Sequence, residues 1–221
     1  RRALATAVLD LTQIRRIRAH YGGTVNDVLL AVVAGGLREW LLARGDPVKG
    51  LTLRALIPVS RRARSGERIG GNRLSGYLCE LPVGEGDPGK RLLMIRRSMD
   101  QNRASDGTRG VGAIPVLVEG LPSAVHRVAA PVAGQAVPLL CDLIVTSIPV
   151  PSIPLTLAGA KLEQVYPIAP LAAGQALVVG LSWYQSNAFV ALHTDGEGLP
   201  DGPRLAAAMP AAAATLDSLI E

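Results

Sequence analysis

Between Cys141 and Gln185 the sequence reads CDLIVTSIPVPSIPLTLAGAKLEQVYPIAPLAAGQALVVGLSWYQ, and this stretch limits the fold more than any other. The apolar run Leu143 to Val145 predicts a buried strand, ending in the hydroxyls of Thr146 and Ser147. Pro149, Pro151 and Pro154 then stiffen an extended crossing segment, because each proline fixes φ and steers the preceding residue away from helix. Lys161 to Ile168 reads as a further extended piece, and Gly174 introduces a last apolar strand over Ala176 to Trp183. A stiff loop between buried strands fits two roles, a wall of a binding site or a plain surface crossover.

Three ordered motifs lie in this stretch: TSIPVP at 146–151, PLTLAGA at 154–160 and YPIAPLAAGQAL at 166–177. They resemble the C-terminal half of the bacterial wax ester synthase/diacylglycerol acyltransferases, where the turn typically runs T-N-V-P-G-P. Pro149, Gly174 and Gln175 fall on the matching positions. Ser147 stands where asparagine is usual and Val150 where glycine is usual, so an amide at 147 or a left-handed backbone at 150 is not expected here. Two further segments resemble the family: TVNDVLLA (24–31), with Asn26 and Asp27, and GGNRLSG (70–76), with Gly71, Asn72 and Ser75. The resemblance extends from about Leu9 to the end of the chain.

Along the chain, Asp10 to Gln13 has the form of a capping box opening a helix to about His20, stopped by Gly22 and Gly23. Thr24 to Asp27 repeats the pattern before a long, largely buried helix to about Arg44, in which Ala34, Gly35 and Gly36 admit a close neighbour. Asp27 reads either as a cap, favourable at the positive helix end, or as a site residue, and Asn26 is open between the same two roles. Strands are predicted over Leu51–Val59 and 70–82, separated by an Arg-rich loop with Arg61, Arg62, Arg64 and Arg68. Asp87 and Pro88 open a basic amphipathic helix to about Arg103, with Leu92, Leu93, Ile95 and Met99 inward and a solvated arginine face. Val111 to Val137 reads as two short apolar helices, either a wall for a fatty chain or ordinary cover on a sheet. Asn187–Thr194 forms a hairpin with the strand before it, and Asp201 starts a terminal helix kinked at Pro210. Asn72 reads as a turn residue or as one facing a substrate channel.

Together these segments predict one α/β domain over 1–221, with a mixed sheet of five or six strands and helices packed on it. The resemblance implies one lobe of the chloramphenicol acetyltransferase-like, coenzyme A-dependent two-lobe fold. The 48% apolar content is enough for a proper core, which excludes disorder. The net charge of +5 rests almost wholly on scattered arginines without interleaved aromatics, which argues against nucleic acid. Arginine richness fits either codon bias or attraction to an anionic partner such as coenzyme A or a lipid surface. Cys79 and Cys141 lie in apolar runs without C-x-x-C spacing, which predicts free thiols in a reducing, cytoplasmic setting. No signal peptide and no membrane-spanning apolar run is read, so a membrane or lipid-droplet association would be peripheral.

The family moves a fatty acyl group from acyl-CoA to diacylglycerol or a long-chain alcohol, which needs a general base at the hydroxyl and donors for the tetrahedral oxyanion. The family's base is the second histidine of H-H-x-x-x-D-G in the N-terminal lobe, and that motif is absent here. His20, His126 and His193 read as non-catalytic, His193-Thr-Asp-Gly196 having the wrong spacing. GTRGVG at 107–112 lacks the strand before it and the lysine after it that a phosphate loop needs. No metal-ligand cluster is read. The expectation is therefore half an O-acyltransferase, inactive alone, with the N-terminal lobe as partner on the same or a separate chain. In that half Thr146 or Ser147 contacts the thioester or its oxyanion. The alternative is a non-catalytic acyl-CoA- or lipid-binding or assembly module of the same fold.

Overall fold

The computed structural model describes residues 1–60, 74–105, 113–115 and 140–220. In chain order the elements are β1 (Arg2–Asp10), α1 (Leu11–Tyr21), α2 (Val25–Ala43), β2 (Leu53–Ser60), β3 (Leu74–Leu81) and α3 (Pro88–Ser105). There follow β4 (Ala113–Pro115), β5 (Leu143–Pro149), β6 (Thr156–Leu157), β7 (Ala160–Lys161), β8 (Leu177–Tyr184), β9 (Asn187–Asp195) and α4 (Gly202–Asp217). Seven strands form one mixed sheet in the order β1-β9-β8-β5-β2-β3-β4, and β6 and β7 form a separate ribbon. The sheet thus has one or two strands more than the five or six expected.

One added strand is β1, which the sequence does not announce. Ala5, Ala7 and Leu9 face the core, and α4 packs over them. Leu4 and Val8 lie exposed on the other face, so both faces carry apolar residues and the period-two signal is lost. The other is β4, which pairs Ala113–Pro115 with Ser75–Tyr77 where a helix was expected. The rest of the two expected helices, together with the Arg61–Arg68 loop, Asn72, GTRGVG (107–112) and His126, lies outside the described residues.

The helices behave largely as their caps and faces dictate. Asp10 accepts from Thr12 N at 2.7 Å, but Gln13 does not close the box; its Nε2 donates to Asp217 on α4 instead. Thr24 and Asp27 do form a complete capping box on α2. A Cβ on Gly35 would meet Ala212 and Arg91, and one on Gly36 would meet Met209, so the small stripe of α2 admits α4 at close range. On α3, Leu92, Ile95 and Met99 are buried, whereas Leu93 is exposed. The arginine face is only partly solvated. Arg91 is buried, giving two hydrogen bonds to the Glu85 carbonyl, and Arg96 donates to the Tyr21 carbonyl at 2.6 Å.

The centre of the sheet is parallel, and it splits. β2 pairs β5 only at Ala55–Leu143 and Leu56–Ile144, while β5 stays paired with β8 through Pro149–Trp183 and β2 with β3 through Ser60–Leu74. The Arg54 N–H points toward β5, where it donates to Asp142 Oδ2 at 2.7 Å. Alternate residues of a strand point the same way, so position 58 should give the next donor but one; Pro58 has none, and the ladder stops short of it. The two wings of the sheet diverge from there.

Candidate functional site

β5 extends beyond Val145 to Pro149, so Thr146 and Ser147 lie within the strand rather than at its end. Successive strand residues face opposite sides. Ser147 pairs Leu181, whose side chain is in the core under the helices, and Thr146 pairs Gly180, which faces the loop 162–171. The two hydroxyls therefore belong to opposite faces of the sheet. The Ser147 hydroxyl donates to Oδ1 of Asn26 at 2.5 Å, joining β5 to the first turn of α2. That contact fixes the orientation of the Asn26 amide, whose two nitrogen-borne hydrogens have no acceptor among the described residues.

Asp27, the next residue, points away from solvent and is fully buried. Its Oδ2 accepts from Thr24 N at 2.8 Å and from Arg103 Nη2 at 3.0 Å, and its Oδ1 accepts from Arg103 Nη1 at 3.2 Å. Arg103 also holds Asp100 at 2.8 Å. Burial pulls the Arg103 guanidinium down, but the hydrogen bonds it gives to Asp27 and Asp100 outweigh that and leave it above its ordinary value. Asp100, hydrogen-bonded by Arg103, is held below the usual carboxylate range. Asp27 is thus the cap that sequence reasoning weighed, with an ionic tie to α3 that it missed. The helical period of α3 offered the only clue to Arg103. Cys79 lies at the same corner, and burial pushes its thiol up to about 11.

The other expected site residues are spread along β5, β8 and β3. Pro149 closes β5 opposite Trp183, and Val150 is outside the left-handed region, as its departure from glycine requires. Gly174 has φ +80, the left-handed turn that starts β8. Gln175 is buried, its Nε2 donating to Cys141 Sγ at 3.6 Å, and its Oε1 has no partner among the described residues. Ser75 is in β3, paired with Val59 and Pro115. The structure brings together Ser147, Asn26 and Asp27; Gln175 and Gly174 sit near the opposite end of β5. His20 lies exposed in the last turn of α1 against Tyr21, and His193 Nδ1 lies 2.8 Å from the Ala169 carbonyl; neither is hydrogen-bonded to Ser147. Concavities of about 320 to 390 Å³ among the described residues lie elsewhere, along β1 and α4, beside Trp40 and Asp201, and between β3 and α3.

The junction of β5 with the start of α2 offers hydrogen-bond donors and a positive helix end, suited to a carbonyl gaining negative charge. It offers no base among the described residues. The model of the WS/DGAT C-terminal domain matches residues 70–216. "Probable diacyglycerol O-acyltransferase tgs2" of Mycobacterium tuberculosis is 32% identical over 185 residues, which are 81% of this chain and 39% of that protein. "Probable diacyglycerol O-acyltransferase tgs1" of the same organism is 28% identical over 97% of this chain and 46% of its own length. The solved wax ester synthase/diacylglycerol acyltransferase of Marinobacter aquaeolei VT8 superposes with a TM-score of 0.72 at 26% identity, covering 99% of this chain and 49% of that one. The PapA2 acyl transferase, at 15% identity and a TM-score of 0.59 over 98% of this chain and 44% of its own, shares the fold. The fold is one lobe of the coenzyme A-dependent acyltransferase architecture, and the chain spans about half the length of the relatives it matches. The chain belongs to the wax ester synthase/diacylglycerol acyltransferase family, with residues 70–216 as its C-terminal domain.

Proposed function

We propose that this chain is the C-terminal half of an O-acyltransferase that moves a fatty acyl group from acyl-CoA to diacylglycerol or a long-chain alcohol. The observation that carries the reading is the match of residues 70–216 to the C-terminal domain of that family. The tie between Ser147 and Asn26 gives it a chemical locus. The general base belongs to the N-terminal lobe, which carries H-H-x-x-x-D-G in the resembling family, so the isolated chain binds without turning over.

Within this half, Ser147 acts through Asn26. Its proton is committed to Asn26 Oδ1, which leaves the amide N–H groups of Asn26 uncommitted among the described residues. Those groups donate to the thioester carbonyl as it becomes an oxyanion, helped by the positive end of α2. Thr146, on the opposite face, contributes to the loop side of the sheet rather than to this contact. Pro149, which ends β5 two residues after Ser147, shapes the wall beside this contact, whereas Gly174 and Gln175, near the opposite end of β5, shape the entry to β8. Acyl-CoA enters as substrate and no metal takes part. Neutral lipid acceptors place the complete protein at a membrane or lipid-droplet surface as a peripheral protein; among the described residues no helix is long and apolar enough to cross a membrane.

The test is acyl transfer from radiolabelled palmitoyl-CoA to dipalmitoylglycerol and to hexadecanol. The chain is assayed alone and joined to an amino-terminal half carrying H-H-x-x-x-D-G. Turnover by the joined protein and none by the chain alone is the expected result. Saturable acyl-CoA binding by the joined protein with no turnover on either acceptor would overturn the reading in favour of a binding module.

A further inference from the structure

Strand β1 forms one edge of the seven-stranded sheet, and its nine residues pair β9 in an unbroken register from Arg2–Asp195 to Asp10–Asn187. One step beyond each end of that register, the Arg1 carbonyl accepts from Gly196 N–H and Leu11 N–H donates to the Ser186 carbonyl. Both are odd positions. Hydrogen bonding alternates along an antiparallel strand, so the odd residues of β1 bond β9. The even ones, Arg2, Leu4, Thr6, Val8 and Asp10, turn their N–H and C=O groups to the open edge. Long edges are normally blunted by proline, lysine or a bulge, and β1 has none of the three. The even side chains share the helix-free face, where Leu4 is 55% and Val8 40% exposed.

The order of the even residues selects the cover. About Thr6 they read positive charge, apolar, hydroxyl, apolar, negative charge. When a second β1 pairs antiparallel about Thr6, Arg2 meets Asp10, Leu4 meets Val8 and Thr6 meets its own copy. In every one of these pairs the outward N–H and C=O groups face each other. A shift of two residues sets Arg2 against Val8 or Leu4 against Asp10, and a shift of one opposes outward groups to groups already bonded to β9. The end charges are available. Arg2 gives a hydrogen bond to the Leu171 carbonyl and Asp10 takes one at Oδ1 from Thr12 N, and among the described residues neither has an ion-pair partner. On the helix face a groove of about 320 Å³ runs between β1 and α4, lined by Ala5, Ala7, Pro203, Ala206 and Pro210 without a charged side chain, so two such grooves meet without repulsion. We propose that β1 pairs with β1 of a second copy of this chain about a two-fold axis at Thr6, joining two seven-stranded sheets into one.

The chain joined to its amino-terminal half is expected to sediment at twice the mass of one copy. Thr6→Pro removes an outward N–H that β9 does not use, so it is expected to weaken the dimer at least about tenfold with an unchanged thermal melt. Hydrogen-bonded cross-strand partners lie about 5.5 Å apart at Cα, within disulfide reach. Thr6→Cys is therefore expected to give covalent dimers on oxidation, whereas Leu4→Cys, whose partner is Val8, gives none. The cysteine variants decide the register whatever the proline does to the fold. The proposal is overturned if the joined protein sediments as one copy, its own amino-terminal half covering β1 or not. It is equally overturned if the dimer survives Thr6→Pro in a folded chain, or if Leu4→Cys cross-links as readily as Thr6→Cys. No readout here needs turnover: a dimer cross-linked through Thr6→Cys that transfers no acyl group sinks the acyltransferase reading and leaves the pairing standing.

Discussion

The Ser147 hydroxyl donates to Asn26 Oδ1 at 2.5 Å, so residues 121 positions apart form one hydrogen-bonded unit across β5 and α2. The direction of this bond decides which group is left to meet a substrate. A hydroxyl that gives its proton to an amide oxygen has none left for a thioester, whereas the amide nitrogen keeps both of its own. In the protein joined to its amino-terminal half, Asn26→Ala is expected to lower kcat by about a hundredfold, the usual cost of losing one oxyanion donor. Ser147→Ala, which frees the amide to rotate, is expected to cost about tenfold, and Thr146→Ala less than about twofold. Steady-state kinetics on the three variants check the order. Unchanged rates in Ser147→Ala and Asn26→Ala together would remove this junction from the chemistry.

Asp27 sits one residue along the same helix and does something different. It closes the capping box with Thr24 and holds Arg103 at 3.0 and 3.2 Å while fully buried. Removing it strands the Thr24 N–H and leaves Arg103 without its buried partner. Asp27→Ala is expected to destabilise the fold by about 3 kcal/mol, the low end for breaking a buried ion pair. In a double-mutant cycle with Arg103→Ala the two losses should be strongly non-additive. Urea midpoints of the four proteins measure this. A loss well under about 1 kcal/mol would mean that Asp27 is not structural.

The elements that the sequence predicts well are those whose signals are local. Thr24 and Asp27 announce α2 by a cap four residues long, and Gly174 announces β8 by a turn that only left-handed backbone can make. Ser147 and Asn26 were each singled out by their segments, but their contact was not, because nothing local links positions 26 and 147. Hidden elements are those set by a distant neighbour. β1 is a strand because α4 demands small residues beneath it, so Ala5 and Ala7 stand where an alternating pattern needs larger ones. Arg91 and Arg103 look like a solvated face until Glu85 and Asp27 are seen beside them. The split between β2 and β5 is legible only in hindsight, through the missing N–H of Pro58.

Gly180 carries a prediction about the loop 162–171. This loop lies over β8: the Ser182 hydroxyl donates to the Val165 carbonyl, and Tyr166 meets Phe189 edge to face at 5.2 Å. A Cβ on Gly180 would overlap the carbonyl oxygen of Pro167, a backbone atom with no rotamer to retreat into. Gly180→Ala is therefore expected to lift the loop at a cost of about 2 kcal/mol, in the range for overpacking. Limited proteolysis should then cut within 162–171 while the wild type resists. An unchanged digest with an unchanged melt would show that the loop shifts freely.

Asp217, in the last turn of α4, accepts from Arg16 Nε at 2.7 Å and from Gln13 Nε2 at 3.2 Å on α1, and Arg16 Nη2 also donates to it. The Arg16 hydrogen bond, and then that of Gln13, holds its carboxyl below the usual carboxylate range. Asp142, paired with Arg54, is held down likewise, its partial burial being outweighed by the Arg54 backbone and side-chain hydrogen bonds. Both folded values lie below the unfolded one of about 3.9, so the stability they confer is fully present above that pH and fades as the pH falls through the folded values. The urea midpoint is expected to stay flat from about pH 7 to pH 5 and to drop below about pH 4. Asp217→Asn should lose about 1 kcal/mol at neutral pH, the worth of one side-chain hydrogen-bonded tie between α1 and α4, and should show a shallower acid drop. A variant that is less stable at neutral pH but drops as steeply in acid would show that Asp217 works by shape alone.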